Sequence, residues 1–211
     1  MFLTGAAFLL YPVMVNFKYD LDVKSQQTHF ENLESNSLLD NLYNRLRQYN
    51  IELYEKKQNS LVDPFSYSQP NFDLSEYGIE DNCIGFISID RIDMTLPIYL
   101  GANNENMKNG AVHLTETSFP IGGENTNAVI AAHRGTTKIM FRHIDELELG
   151  DSILIKNFKE ILKYQVCEIK IISPTDVEEL LIQDGRDLIT LISCHPYRHN
   201  YQRYVVYCER V

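Results

Sequence analysis

The run Leu188-Ile-Thr-Leu-Ile-Ser-Cys-His-Pro-Tyr197 decides how the chain is read. Its first residues are β-branched or apolar, side chains that fit a pleated, buried surface, so the stretch predicts a strand. His195-Pro196 stops it, because proline cannot donate to a ladder. Cys194 therefore arrives at a strand end, with its backbone held rigidly and its thiol facing a loop. The competing reading is a buried structural cysteine, one of the most commonly buried residue types.

The same kind of run recurs on both sides. Gly85-Phe-Ile-Ser-Ile-Asp90, Met94-Thr-Leu-Pro-Ile-Tyr-Leu100, Ala128-Val-Ile-Ala-Ala132, Ser152-Ile-Leu-Ile155, Lys163 to Ile172 and Arg203 to Arg210 are short, rich in Val, Ile and Tyr, and separated by Gly, Pro, Asn and Asp turns. Seven or eight such strands with only short helical pieces predict a mostly β fold, a closed antiparallel or mixed barrel over residues 79–211.

Upstream the period changes. Leu39, Leu42, Tyr43, Leu46, Tyr49 and Leu53 recur at three- and four-residue steps, which predicts helix. Residues 21–58 thus read as a helical arm packed on the barrel, with Ser37 placed to cap the second of two helices. Residues 59–78 carry Pro64 and Pro70 and have no period, so they read as a long loop of the kind that serves as a lid or binding loop. Within residues 1–20, Phe2 to Phe17 is apolar except for Thr4 and Asn16 and is interrupted by Pro12. A spanning helix needs ~20 apolar residues, and no small-residue cleavage site follows before Lys18, so the segment reads as the end of a membrane anchor.

A hydrophobic content of 44% in 211 residues is that of a folded protein with one ordinary core. The formal net charge of -10, with no lysine/arginine cluster to offset it, excludes a nucleic-acid backbone as the main partner. Cys83, Cys167, Cys194 and Cys208 contain no Cys-x-x-Cys pair, which argues against zinc and against a disulfide scaffold. Cys167 and Cys208 lie in strand-like runs and read as ordinary strand thiols.

Two further residues complete a candidate site. His133 ends another apolar run, Asn127-Ala-Val-Ile-Ala-Ala-His-Arg-Gly135. One strand end presenting Cys and another presenting His is what a thiol nucleophile needs, since an imidazole stabilises the thiolate and later protonates a leaving amine. Arg203 lies nine residues beyond Cys194, and alternation puts it on one face with Val205 and Tyr207, an inward-looking guanidinium among apolar and aromatic neighbours. Such a group can donate to a developing oxyanion; a surface arginine at a strand start is the plainer reading.

Taken together, Thr190-Leu-Ile-Ser-Cys194, the arginine nine residues on and His133-Arg-Gly resemble the signature of the sortases, with Ser193 in place of the usual threonine. Leu96-Pro-Ile-Tyr, Gly110-Ala-Val-His-Leu, Ser118-Phe-Pro-Ile-Gly-Gly and Asp63-Pro-Phe65 resemble the pilus-assembling class C branch, the last as its lid motif. The resemblance runs from the helical arm to the last residue. It implies an eight-stranded sortase-type barrel and a cysteine transpeptidase that cleaves a Leu-Pro-x-Thr-Gly-like signal between Thr and Gly. Cys194 would be the nucleophile, His133 the acid and base, Arg203 the oxyanion donor, and Asp63, Pro64 and Phe65 the lid. The implied partners are pilin subunits carrying that signal and an acceptor lysine, and the implied setting is a cell membrane with the catalytic domain outside. Class C members typically continue to a second membrane segment, whereas this chain stops at Val211, which implies a trimmed or singly anchored chain. No metal or other cofactor is expected, although the acidic Asp145-Glu-Leu-Glu invites a calcium reading. A cysteine hydrolase, a cell-wall-anchoring sortase and a non-catalytic pilus scaffold are the alternatives.

Overall fold

The computed structural model describes residues 2–31, 37–56, 58, 61–63, 65, 72–79, 81–135 and 138–211, the side chains of residues 2–9 excepted. Two long helices, α1 (Phe2–Glu31) and α2 (Ser37–Lys56), precede the barrel. Its strands are β1 (Cys83–Ile89), β2 (Met94–Leu100), β3 (Ala111–His113), β4 (Thr126–Ala131), β5 (Ser152–Lys156), β6 (Ile161–Ile172), β7 (Asp187–His195) and β8 (Gln202–Arg210), with a one-turn-and-a-half α3 (Asn104–Asn109) before β3.

The strands close in the order β1-β2-β3-β4-β7-β8-β6-β5. Pairing is antiparallel except at β2–β3 and β4–β7. Each of the eight runs supplies side chains to one buried cluster, among them Ile87, Ile98, Ala111, Ile130, Ile155, Leu162, Leu191 and Val206. A cluster fed by all eight strands is the lumen, filled by side chains as expected for a barrel of this size. The alternate residues Phe86, Tyr99, Val112, Val129, Ile192, Val205 and Tyr207 form a second cluster on the outer face, shared with Val23 and Phe30 of α1.

The seven expected runs are strands with ends moved by no more than two residues, and β3 is an eighth inside Gly110-Ala-Val-His-Leu114. Only three residues long, β3 carries too little alternation to show a period. Gly110 precedes it because a Cβ there would sit 2.6 Å from the Pro97 carbonyl oxygen of β2. On α2, Leu39, Leu42, Leu46 and Leu53 are buried as the spacing predicts. So is Asn50, which the apolar stripe does not announce: its amide donates to the Phe119 carbonyl at 3.2 Å and accepts from the Phe119 N–H at 2.7 Å. A buried amide satisfied on both sides in this way costs little and fixes where α2 lies.

Pro12 does not interrupt the first helix, which runs unbroken through it. One proline removes a single intrahelical bond, and α1 has other supports. The Tyr19 hydroxyl donates to the Asn109 carbonyl at 2.7 Å, the Gln26 amide to Asp81 at 2.9 Å, and Phe30 meets Phe86 edge-on at 5.4 Å. Among the described residues no helix is long and apolar enough to cross a membrane. All four cysteines are free thiols; Cys83 and Cys208 are buried, Cys194 partly so, and Cys167 is exposed at an irregularity of β6.

Candidate active site

The parallel β4–β7 pairing is what assembles the site. Parallel neighbours end at the same rim of a barrel, so the residues after β4 and at the end of β7 emerge together. The register runs Thr126↔Asp187 to Ala131↔Ile192, and the Ala132 N–H still donates to the Ile192 carbonyl at 3.3 Å. Continued two residues beyond Ala131↔Ile192, this register brings His133 level with Cys194. The hydroxyl of buried Ser193 donates to the Ala132 carbonyl at 2.7 Å. Serine in place of threonine therefore keeps the contact that ties the two strand ends. Below it, the Thr190 hydroxyl donates to the Asn127 side chain at 2.7 Å, a second buried link between the same strands.

β8 runs antiparallel to β7, so its first residues reach the same rim, and Arg203 is the direct cross-strand partner of Cys194. Opposed residues on one face have Cβ atoms about 5 Å apart, close enough for side chains to meet. The Arg203 Nη1 lies 4.0 Å from the Cys194 Sγ. Alternation along the sequence predicts an inward-looking Arg203. It does share a face with Val205 and Tyr207, but that face belongs to the outer cluster, whereas Val206 and Cys208 fill the lumen. Alternation fixes which residues go together and leaves open which side of a closed sheet they take.

Arg203 is buried and fully engaged. Its Nε and Nη2 donate to the two Asp63 carboxylate oxygens at 2.7 and 2.8 Å, a bidentate pair, and its Nη1 donates to the Asn200 and Gln202 carbonyls at 2.8 and 3.0 Å. Phe65 lies under the same guanidinium at 4.8 Å, and its ring is 6.0 Å from that of His133. Asp63 and Phe65 thus meet Arg203, Phe65 also meets His133, and Asp63 is within electrostatic reach of Cys194. Pro64 lies outside the described residues.

Burial sets the protonation states. It pushes the Cys194 thiol above its ordinary range; the Arg203 cation opposes this, Asp63 adds to it, and Arg134 opposes it. Burial also holds His133 below the usual imidazole range. With the segment in place, the pair therefore rests as neutral thiol and neutral imidazole near pH 7. Removing Asp63 from the site takes away one influence that disfavours thiolate and frees the one cation nearest the sulfur.

Three residues beyond the sequence reading belong to the same rim. Arg134, Asp145 and His195 form a cluster on the far side of the strand ends: Arg134 is nearly fully buried and pairs with Asp145 at 2.5 Å. Asp145, acidic in a way that suggested a cation, is thus the counter-ion of an arginine. The position of Arg134 and His195, each one residue after a candidate catalytic group, was the available signal.

The Sortase domain family matches residues 87–211. Sortase A of Bacillus anthracis is 31% identical over 158 residues, which covers 72% of each chain. Among solved structures, sortase C1 of pilus island 1 of group B Streptococcus superposes with a TM-score of 0.79 at 32% identity, over 88% of both chains. A sortase C of Streptococcus pneumoniae gives 0.75 at 31% identity, over 94% of this chain and 96% of that one.

Proposed function

The chain belongs to the sortase family of cysteine transpeptidases, and from that membership we propose that it polymerises pilins, joining the threonine of a Leu-Pro-x-Thr-Gly-like signal to a lysine of the next subunit. The observation that carries this is the single rim bearing Cys194 opposite Arg203, with His133 at the neighbouring parallel strand end. The reading assigns Cys194 as nucleophile, His133 as acid and base, and Arg203 as the donor to the substrate carbonyl.

In this scheme the Asp63–Phe65 segment first leaves, and the peptide takes its place over the site. The Cys194 thiol gives its proton to His133 as its sulfur bonds to the threonine carbonyl carbon, while Arg203 donates to the carbonyl oxygen as it gains charge. The carbon–nitrogen bond to glycine breaks, and His133 delivers a proton to the leaving amine. The lysine Nζ then attacks the thioester and gives its proton to His133, the carbon–sulfur bond breaks, and His133 passes that proton to the departing sulfur to restore the thiol. The product is an isopeptide bond, and no step calls on a cofactor.

A pilin lysine is favoured as acceptor by the likeness to the sortase C structures, which covers 88% and 94% of this chain. The sortase A relative supports a second reading, attachment to the cell wall, which would use another amine. Membrane attachment through the N-terminal end and an extracellular catalytic domain form part of the proposal, supported by the exposed Leu10, Tyr11, Val13, Met14 and Phe17 of α1. Incubation with a signal peptide and a lysine-bearing or α-amine acceptor tests it. A lysine-linked product is expected; product from the α-amine alone would favour the wall, and hydrolysis alone a hydrolase.

A further inference from the structure

The residues that follow His133 and Cys194 meet behind them. Arg134 is almost wholly inaccessible, and its Nε donates to the Arg142 carbonyl at 3.1 Å. Its Nη2 pairs with Asp145 at 2.5 Å, and its Nη1 lies 3.4 Å from the His195 Nδ1. The guanidinium is 5.9 Å from the ring centres of both Tyr197 and Tyr204, and the His195 ring leans on Tyr204 at 5.7 Å. One planar fork thus joins the end of β4, the turn at residues 142–145, the end of β7 and the start of β8.

Alternation explains why this happens out of the way of substrate. It sends His133 and Cys194 to one face and Arg134 and His195 to the other. Arg134 therefore touches no peptide bound over Cys194. An arginine can hold this junction where a lysine cannot, because three differently directed acceptors are met by one rigid group.

We infer that Arg134 is a positioning residue for the transfer reaction, fixing the His133 and Cys194 strand ends relative to each other through its bonds to Asp145, Arg142 and His195. The inference rests on the transpeptidase reading. Misplacing reacting groups by about 1 Å can cost on the order of a hundredfold in rate, so a remote brace of this kind is felt in turnover. Its charge acts as well, since the Cys194 sulfur is exposed to the fields of Arg203, Asp63 and Arg134 together.

The test compares Arg134→Gln and Arg134→Lys with the wild type, at a temperature where calorimetry shows each fully folded. The readouts are kcat and KM with a signal peptide, and the pH midpoint of Cys194 alkylation by iodoacetamide. In Arg134→Gln, kcat should fall by ~10- to 100-fold with KM within about twofold, and the alkylation midpoint should move to higher pH. Arg134→Lys should restore the midpoint and not kcat. Wild-type kcat in folded Arg134→Gln overturns the inference, as does a loss confined to KM. Should Arg134→Gln not fold, Asp145→Asn replaces it: reduced kcat at constant KM supports the brace and unchanged kcat overturns it. The alkylation midpoint needs no peptide, so a wild type without turnover would sink the transpeptidase reading while the midpoint shift still reports on Arg134.

Discussion

Arg203 and Asp63, 140 positions apart, form a bidentate ion pair with bonds of 2.7 and 2.8 Å, while the same guanidinium stays 4.0 Å from the Cys194 sulfur. Two of its three nitrogens are thus engaged by that carboxylate, and the third by the Asn200 and Gln202 carbonyls. Phe65 lies beside His133 and under Arg203, in the place the proposed scheme gives to the bound peptide. In the proposed scheme this pair is what must open before a peptide can enter.

Opening that contact should therefore expose the thiol. In the double variant Asp63→Ala with Phe65→Ala, alkylation of Cys194 should be faster by about tenfold, the equivalent of ~1.4 kcal/mol of closure. Thermal stability should change little, because water reaches Arg203 once the segment leaves. An unchanged rate in a clearly destabilised variant would mean that the segment is structural packing.

The charge of Asp63 has its own signature. It raises the Cys194 pKa, so Asp63→Asn should shift the pH midpoint of alkylation downward. A midpoint that stays put or rises would show that Asp63 acts only by covering the sulfur.

Arg203→Lys should keep the fold and lose ~100-fold in kcat, because lysine retains charge without the fork of donors. Near-normal turnover would indicate that long-range charge suffices.

A stability effect with a defined sign comes from His113, buried in the barrel and stacked on Phe119 at 5.0 Å. Its Nε2 lies 2.9 Å from the Ser118 carbonyl, and its Nδ1 has no hydrogen-bond partner among the described residues, so a proton there finds no acceptor among them. Burial lowers its pKa to about 4 from an unfolded value of 6.5. The unfolded chain thus binds the proton first: the stabilisation is complete above about pH 6.5 and is lost as pH falls toward 4, by up to ~3 kcal/mol. Urea midpoints at pH 7 and 4.5 measure it, and in His113→Gln that part of the pH dependence should vanish.

The barrel was legible because its strands are short, β-branched and bounded by turn residues, and the site because strand ends present Cys194, His133 and Arg203. Nothing local could reveal β3, which three residues define only by pairing with β2 and β4. The face taken by Arg203 and the path of α1 through Pro12 were likewise settled by packing, the first by closure of the sheet and the second by contacts with the barrel. No local pattern joins Arg134, Asp145 and His195, because an ion pair across 11 positions and a bond across 61 leave no period in the chain. Asn50 was hidden by the apolar stripe around it.

The account stands most directly on a covalent intermediate at Cys194. Wild-type protein mixed with a Leu-Pro-x-Thr-Gly-like peptide should show, by intact mass, an adduct equal to the peptide through its threonine, released by hydroxylamine and mapped to Cys194. The Cys194→Ala variant, in which loss of one thiol leaves little cavity, should fold normally and show none. An adduct on Cys83, Cys167 or Cys208, or one that persists in Cys194→Ala, would contradict the assignment of Cys194 as the nucleophile.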